Sequence, residues 1–182
     1  MKRSIVIRII SCLFLIIVFC AVLAEAQNVK IGYVNSAKIL QEYPEAQEAQ
    51  KKIDAKGQVW QAELETMSNT LKSKYEAFQQ KQATLTDQAK RDQQQELVEL
   101  EQKGVEFRTE KFGNSGALAQ LTDSLLTPIK KKVMKVIEAI AKKEGLQFVF
   151  DRNEQILVLL YGEPKYDYTN LVIDRLKRGE SK

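Results

Sequence analysis

Between Pro44 and Pro128 the chain has no proline. Proline breaks helix interiors and is tolerated in first turns. An 83-residue interval without one therefore leaves room for helices longer than a small compact domain needs. The interval is also thin in large apolar side chains. Residues 44–127 hold 19 among 84, whereas residues 128–161 hold 16 among 34, twice the density. The first stretch is rich in Gln, Lys, Glu and Ala, the composition of exposed helix. The second has enough apolar mass to form a compact core.

Within the thin stretch the apolar residues are spaced for helix. Outward they are Ile53, Trp60, Leu64, Met67, Leu71, Tyr75, Phe78 and Leu85, with steps of 7, 4, 3, 4, 4, 3 and 7. This is close to a heptad seam. Leu97, Leu100, Phe107, Leu118, Leu121 and Leu125 fit a returning register, with Gly104, Lys111 and Asn114 as imperfect positions. The spacing predicts an antiparallel helical hairpin with its tip near 84–88, where Thr86 or Asp87 can cap the returning helix. An outgoing arm over 44–85 would reach about 60 Å at 1.5 Å per residue. Such an arm is poorly self-sufficient. Ordering costs about 1–2 kcal/mol per residue, and burying a large apolar side chain returns only about 1.5–3 kcal/mol. Gly57, Gly104 and the run Phe112-Gly113-Asn114-Ser115-Gly116 weaken it further, and the arms are expected to bend near 113–116.

The denser region reads as a body made from both ends of the remaining chain. Ile129, Val133, Val136, Ile137 and Ile140 predict a helix from Pro128, closed by a left-handed cap at Gly145. Residues 147–151 (QFVFD) alternate as a strand, and 155–161 (QILVLLY) read as a strand apolar on both faces. Far upstream, 29–34 (VKIGYV) is a third strand, with Ile31 and Tyr33 on one face. Ser36 is expected to cap a short helix ending at Tyr43-Pro44, and Asp167–Lys177 to form a capped amphipathic helix closing at Gly179. The fold class expected is α+β and mostly helical. A small β-sheet body from 27–43 and 128–182 carries a long coiled-coil hairpin, 44–127, inserted between its parts. Three strands with oily faces seldom stand alone, so the body is expected to oligomerise. The residues assigned to that contact are Ile31, Tyr33, Phe148, Phe150, Ile156, Val158 and Leu160.

The N-terminus carries an address. Lys2, Arg3 and Arg8 precede a 15-residue apolar run, 9–23, and then Ala24-Glu25-Ala26. This is the layout of a secretory signal peptide cleaved after Ala26. The run is short for a spanning helix, which needs roughly 20 residues. Both cysteines, Cys12 and Cys20, fall inside it, so an exported product has no disulfide and draws its stability from packing or association. Without residues 1–26 the charge is 25 basic against 23 acidic, which is not the footprint of a nucleic-acid binder. With no His in the chain and no Cys after residue 26, most general-base, nucleophile and soft-metal designs are excluded. No glycine loop cradles a phosphate, and neither a cofactor nor a metal is expected. Lys130, Lys131, Lys132 and Lys135 read first as surface charge and second as a weak contact for anionic lipid.

The opening VKIGYVNSAKILQEYPEAQEAQKKI resembles the N-terminus of the Skp (OmpH) family of periplasmic chaperones. The pair QFVFD and ILVLLY, followed by Asp167-Tyr168-Thr169 opening a last helix, resembles that family's C-terminal body. The resemblance covers essentially all of 27–182. It implies a periplasmic homotrimer shaped like a jellyfish, with three helical hairpins around a cavity. It also implies ATP-independent holding of unfolded outer-membrane barrel proteins. Weak, scattered apolar contacts suit a holder that releases without fuel. Trp60, Met67, Leu71, Tyr75 and Phe78 are the candidate client contacts, with Tyr75 the strongest because it sits off the strict heptad register. The best-known members carry strongly basic arms. Here residues 66–103 hold six charges of each sign, so no lipopolysaccharide residues carry over. The competing class is a structural or adaptor coiled coil of the cell envelope, against which the glycine-interrupted seam argues.

Overall fold

The computed structural model describes residues 29–153 and 158–179. The expected signal peptide and Ile156 lie outside them. In chain order the elements are β1 (Ile31–Val34), α1 (Ser36–Glu42), α2 (Pro44–Lys81), α3 (Asp87–Phe112), α4 (Ala117–Glu144), β2 (Phe148–Asp151), a 3-10 turn (Pro164–Tyr166) and α5 (Thr169–Lys177). The chain is mostly helical, with one two-stranded sheet among the described residues. No helix of the described residues is long and apolar enough to cross a membrane.

β1 and β2 pair in parallel, with Ile31 opposite Phe148 and Val34 opposite Asp151. Parallel strands cannot be joined by a tight turn, and here all of α1–α4 forms the crossover. The ladder is prolonged at each end. The Gln147 N–H donates to the Lys30 carbonyl at 2.9 Å and the Arg152 N–H to the Val34 carbonyl at 2.7 Å. On the other edge of β1 the Tyr168 N–H donates to the Tyr33 carbonyl at 2.9 Å. The Asn35 N–H donates to Thr169 Oγ1 at 2.9 Å. β1 is therefore flanked on both sides, by β2 and by the entry to α5.

A buried cluster sits against this sheet. Val34, Ile39, Tyr43, Ala46, Ile129, Val133, Val136, Ile140, Val172, Ile173 and Leu176 draw it from β1, α1, the first turn of α2, the second half of α4 and α5. The stripe Ile129–Val133–Val136–Ile140 has the 4-3-4 step of one helix face. It explains a departure from the sequence expectation. α4 does not begin at Pro128; it begins at Ala117 and runs through the proline. The carbonyl deprived of its partner is that of Ser124, and both residues are exposed, so water can satisfy it. The break instead falls between Phe112 and Ala117, inside the stretch expected to bend. Gly113 is required there by close approach, since a Cβ would lie 2.4 Å from the Thr109 carbonyl oxygen.

Three other expectations are corrected or refined. The cap of α1 is Asn35, whose side chain accepts from the Lys38 N–H at 2.9 Å. Ser36 is the first helical residue, and its N–H donates to Asp151 Oδ1 at 3.0 Å. Of the strand expected over 155–161, the described part, 158–161, is irregular, with Val158, Leu160 and Tyr161 exposed. A strand apolar on both faces needs a layer on each side, and these side chains are left uncovered instead. The α2–α3 connection is capped by Thr86, whose hydroxyl accepts from the Ala89 N–H at 3.3 Å. Gly145 does cap α4 in the left-handed region, with φ 68°.

Where α2 leaves the core, a polar clamp fixes its base. Glu45 accepts from Lys132 Nζ at 2.7 and 2.8 Å and from the Tyr43 hydroxyl at 2.5 Å. Burial, reinforced by the acceptor and charge of Glu45, pushes the Tyr43 phenol up to about 12. Hydrogen bonds from Lys132 and then Tyr43 hold the Glu45 carboxyl below its usual range.

Two outcomes follow for stability. A Tyr43 phenol whose folded value is raised contributes fully below its unfolded value of about 10. That contribution is lost as pH rises from there through about 12. Thermal melting is expected to fall over this window, and Tyr43→Phe to flatten the fall. On the acid side Glu45, whose folded value is depressed, loses its contribution as pH falls through that value, and Glu45→Gln removes that part of the slope. Separately, Ile140→Ala removes a side chain 2 % exposed and should cost about 2–5 kcal/mol by urea unfolding. Leu100→Ala on α3, half-buried, should cost well under about 2 kcal/mol in the same assay.

Candidate functional site

α2 and α3 lie side by side, and their contacts climb one helix as they descend the other. Lys74 forms an ion pair with Glu96. Further toward the core, Trp60 has Lys111 Nζ over its ring at 5.5 Å. Leu71 and Leu97 line one open groove between the helices; Leu64, Met67, Leu100 and Gly104 line the next. The packing is shallow. α3 has 26 residues and buries none of them. α2 buries Ala46, Ala49 and Ile53 at its base and Phe78 near its far end. The seam between is half-buried, as the low density of apolar residues requires.

The five arm residues selected from the sequence separate into three settings. Phe78 is buried, and lines the floor of the same groove as Leu71. Met67 and Leu71 are half-buried groove walls, and Tyr75 projects beside them, 51 % exposed. Trp60 is half-buried under two cations, Lys56 Nζ at 4.9 Å and Lys111 Nζ at 5.5 Å from its centroid. Lys111 also covers Phe107 at 5.5 Å. Sequence reasoning passed over Val98 and Val105, both largely exposed. The signal was present: each is apolar, off the seam register, on an otherwise polar helix.

The residues assigned to an oligomeric contact also divide. Ile31, Phe148, Phe150, Val158 and Leu160 are exposed, with the rings of Phe148 and Phe150 stacked at 6.5 Å. Tyr33 is the exception. It is packed within the protomer at 4 % exposure, its hydroxyl donating to the Gly162 carbonyl at 3.2 Å. Ile31 and Tyr33 alternate onto the same side of β1, but Gly162 lies against the tyrosine ring and accepts from its hydroxyl, while Ile31 stays 44 % exposed. Of the four clustered lysines, Lys132 is engaged by Glu45, while Lys130, Lys131 and Lys135 are exposed. Among the described residues no group of His, Cys, Asp and Glu could hold a metal ion. The geometry offers open apolar grooves on a pair of long helices and an uncovered apolar sheet face, which suit binding through weak, distributed contacts.

Comparison with known proteins agrees in kind. The model of the outer membrane protein (OmpH-like) family matches residues 30–176. The chaperone protein Skp of Vibrio cholerae serotype O1 is 27% identical over 170 residues, covering 90% of this chain and 94% of that one. The chaperone protein Skp of Yersinia enterocolitica is 22% identical over 154 residues, covering 85% and 90%. In fold, the chain is similar to a crystal structure of an OmpH-like outer membrane chaperone from Caulobacter crescentus CB15. The TM-score is 0.67 at 14% identity, with 83% of this chain and 85% of that one covered.

The lysine-flanked Trp60 is the chain's one tryptophan and so reports on the site directly. Iodide, drawn by the two ammonium groups, should quench its fluorescence more than caesium does, and the excess should shrink with added salt. Lys56→Gln with Lys111→Gln should bring the two quenchers together.

Proposed function

Because the chain belongs to the OmpH-like outer membrane protein family, we propose that it is an ATP-independent periplasmic holdase for unfolded outer-membrane β-barrel proteins. Export by the N-terminal signal and cleavage after Ala26 are part of this reading. The working form is a homotrimer. Residues 27–43 and 128–182 form its body, and the antiparallel hairpin 44–127 of each protomer forms an arm around a cavity. The exposed apolar side chains Ile31, Phe148, Phe150, Val158 and Leu160 supply the contact between bodies, and Ile156 is assigned to it with them. A weak secondary contact with anionic lipid is assigned to Lys130, Lys131 and Lys135, which their exposure supports.

The observation that carries the reading is the difference in burial along one chain. α4 and α5 bury full apolar stripes, whereas α3 buries nothing. A rigid adaptor would need an uninterrupted, well-covered seam. A holder benefits from the reverse, because half-covered apolar side chains can be shared with a client and given back. Each such contact is worth about 1–2 kcal/mol, small enough for unaided release and large when summed.

The test is a barrel-protein aggregation assay beside a mass measurement. The mature chain should scatter light as three protomers and suppress aggregation of a urea-unfolded outer-membrane barrel without nucleotide. No suppression at several-fold molar excess removes the proposal. Indifference to unfolded clients together with one stoichiometric partner on pull-down would favour the adaptor.

A further inference from the structure

The two arm grooves are one. Both are lined by Ser68, Leu71 and Glu101, so they run together along a single face of the α2–α3 pair. Met67, Leu71 and Tyr75 form a ladder on α2, four residues apart, hence about 6.0 Å per step along the axis. Facing them, Val98 and Val105 stand 64 % and 53 % exposed, seven residues apart on α3. Lys72, Glu101 and Arg108 also line the groove, with signs that alternate along it instead of accumulating.

Gly104 adds an independent observation. It is the interior glycine of α3, where glycine weakens a helix relative to alanine. Neither a positive φ nor a neighbour requires it, since a Cβ built there would meet nothing within 4 Å. It also lines the groove. A glycine that serves no contact within the protomer leaves open the approach of another backbone.

We infer that this groove binds one extended client segment at a time, with apolar side chains at alternate positions set against the Met67–Leu71–Tyr75 ladder and its backbone passing over Gly104. The inference rests on the holdase reading and adds to it the conformation recognised. In an extended chain, side chains on one face recur every 6.6–6.8 Å or so, close to the ladder's step of about 6.0 Å. A few successive residues therefore stay in register. The alternate side chains face outward to water and to the mixed charges of the rim, so polar residues fit there. Apolar-polar alternation is the pattern of every strand that crosses a membrane in a barrel. The charge alternation along the groove favours neither an acidic nor a basic segment, which suits an occupant chosen by period and not by charge.

The test uses the full mature protein and two labelled peptides of identical composition. One has apolar residues at every second position; its isomer has them at helical spacing. Fluorescence polarisation should give the alternating peptide a Kd about tenfold lower, the equivalent of one further buried side chain. Val98→Asp with Val105→Asp should erase that preference. Gly104→Leu should do so too, by filling the groove with a better helix former, so its effect cannot be attributed to unfolding. Equal binding of the isomer would overturn the extended conformation. Unchanged binding in both variants, with aggregation of an unfolded barrel still suppressed, would overturn the groove and leave the holdase standing. A change in solution mass on Val98→Asp with Val105→Asp would mean that a second copy covers this face, and would also overturn it. Failure of the wild-type protein to suppress aggregation would remove the holdase reading itself.

Discussion

A parallel ladder of four residues against four is too short to persist by its own hydrogen bonds, yet the pairing of β1 with β2 determines where the other elements sit. It joins residues separated by all four long and short helices of the crossover. It holds because the second edge is also filled: the Tyr168 amide donates to Tyr33 and the Thr169 hydroxyl accepts from the Asn35 amide that continues β1, while the buried stripe of α4 joins Val34 in the core. Once that clasp closes, α2 must leave the core at Pro44 and the chain must come back through α4. The clamp of Tyr43, Glu45 and Lys132 stands at the point of departure. The long helices are thus held at one end by a core and along their length by little else.

That asymmetry connects composition to the proposed activity. Side chains such as Val136 and Ile140 have no freedom to serve a ligand, because they are fully occupied in the core. Tyr75, Val98 and Val105 are incompletely covered by anything in the protomer. A chain that must hold many unrelated segments benefits from keeping these two populations apart. On the proposed activity, stability would be concentrated away from the client, and apolar surface offered where the loss of any single contact matters little. The exposed, stacked Phe148–Phe150 pair is a third population, the one proposed above for contact between copies.

Much of this was legible in the sequence because it depends on period and punctuation. The proline-free interval, the 3–4 spacing from Ile53 to Phe78, Thr86 at the turn and Gly145 at the end of α4 all act locally, and they appear in the structure where the residues put them. What was not legible depends on neighbours distant in sequence. Pro128 looked like a helix start, but the buried stripe beginning at Ile129 carries the helix through it. Tyr33 looked like a partner of Ile31 on an open face, but Gly162, 129 residues on, packs against its ring and takes its hydroxyl. Ser36 looked like the cap of α1, but Asp151, 115 residues away, takes the serine, and Asn35 caps the helix instead. On the arms, the outgoing helix was read closely enough to find Met67 and Leu71 on the seam and Tyr75 beside it, whereas on the returning helix only seam positions were followed, so the exposed off-register Val98 and Val105 were passed over.

The central claim is that folding stability is graded from the clasped core to the shallow helix pair. Amide hydrogen exchange of the intact mature protein, read by mass spectrometry, tests it directly, because exchange reports the local free energy of opening. The account predicts the slowest exchange in α4 from Ile129 to Ile140 and in α5. Exchange in α3 around Val98 to Val105 should be faster by orders of magnitude, although both segments are helical. Equal protection of α3 and the core part of α4 in the absence of any client would contradict it.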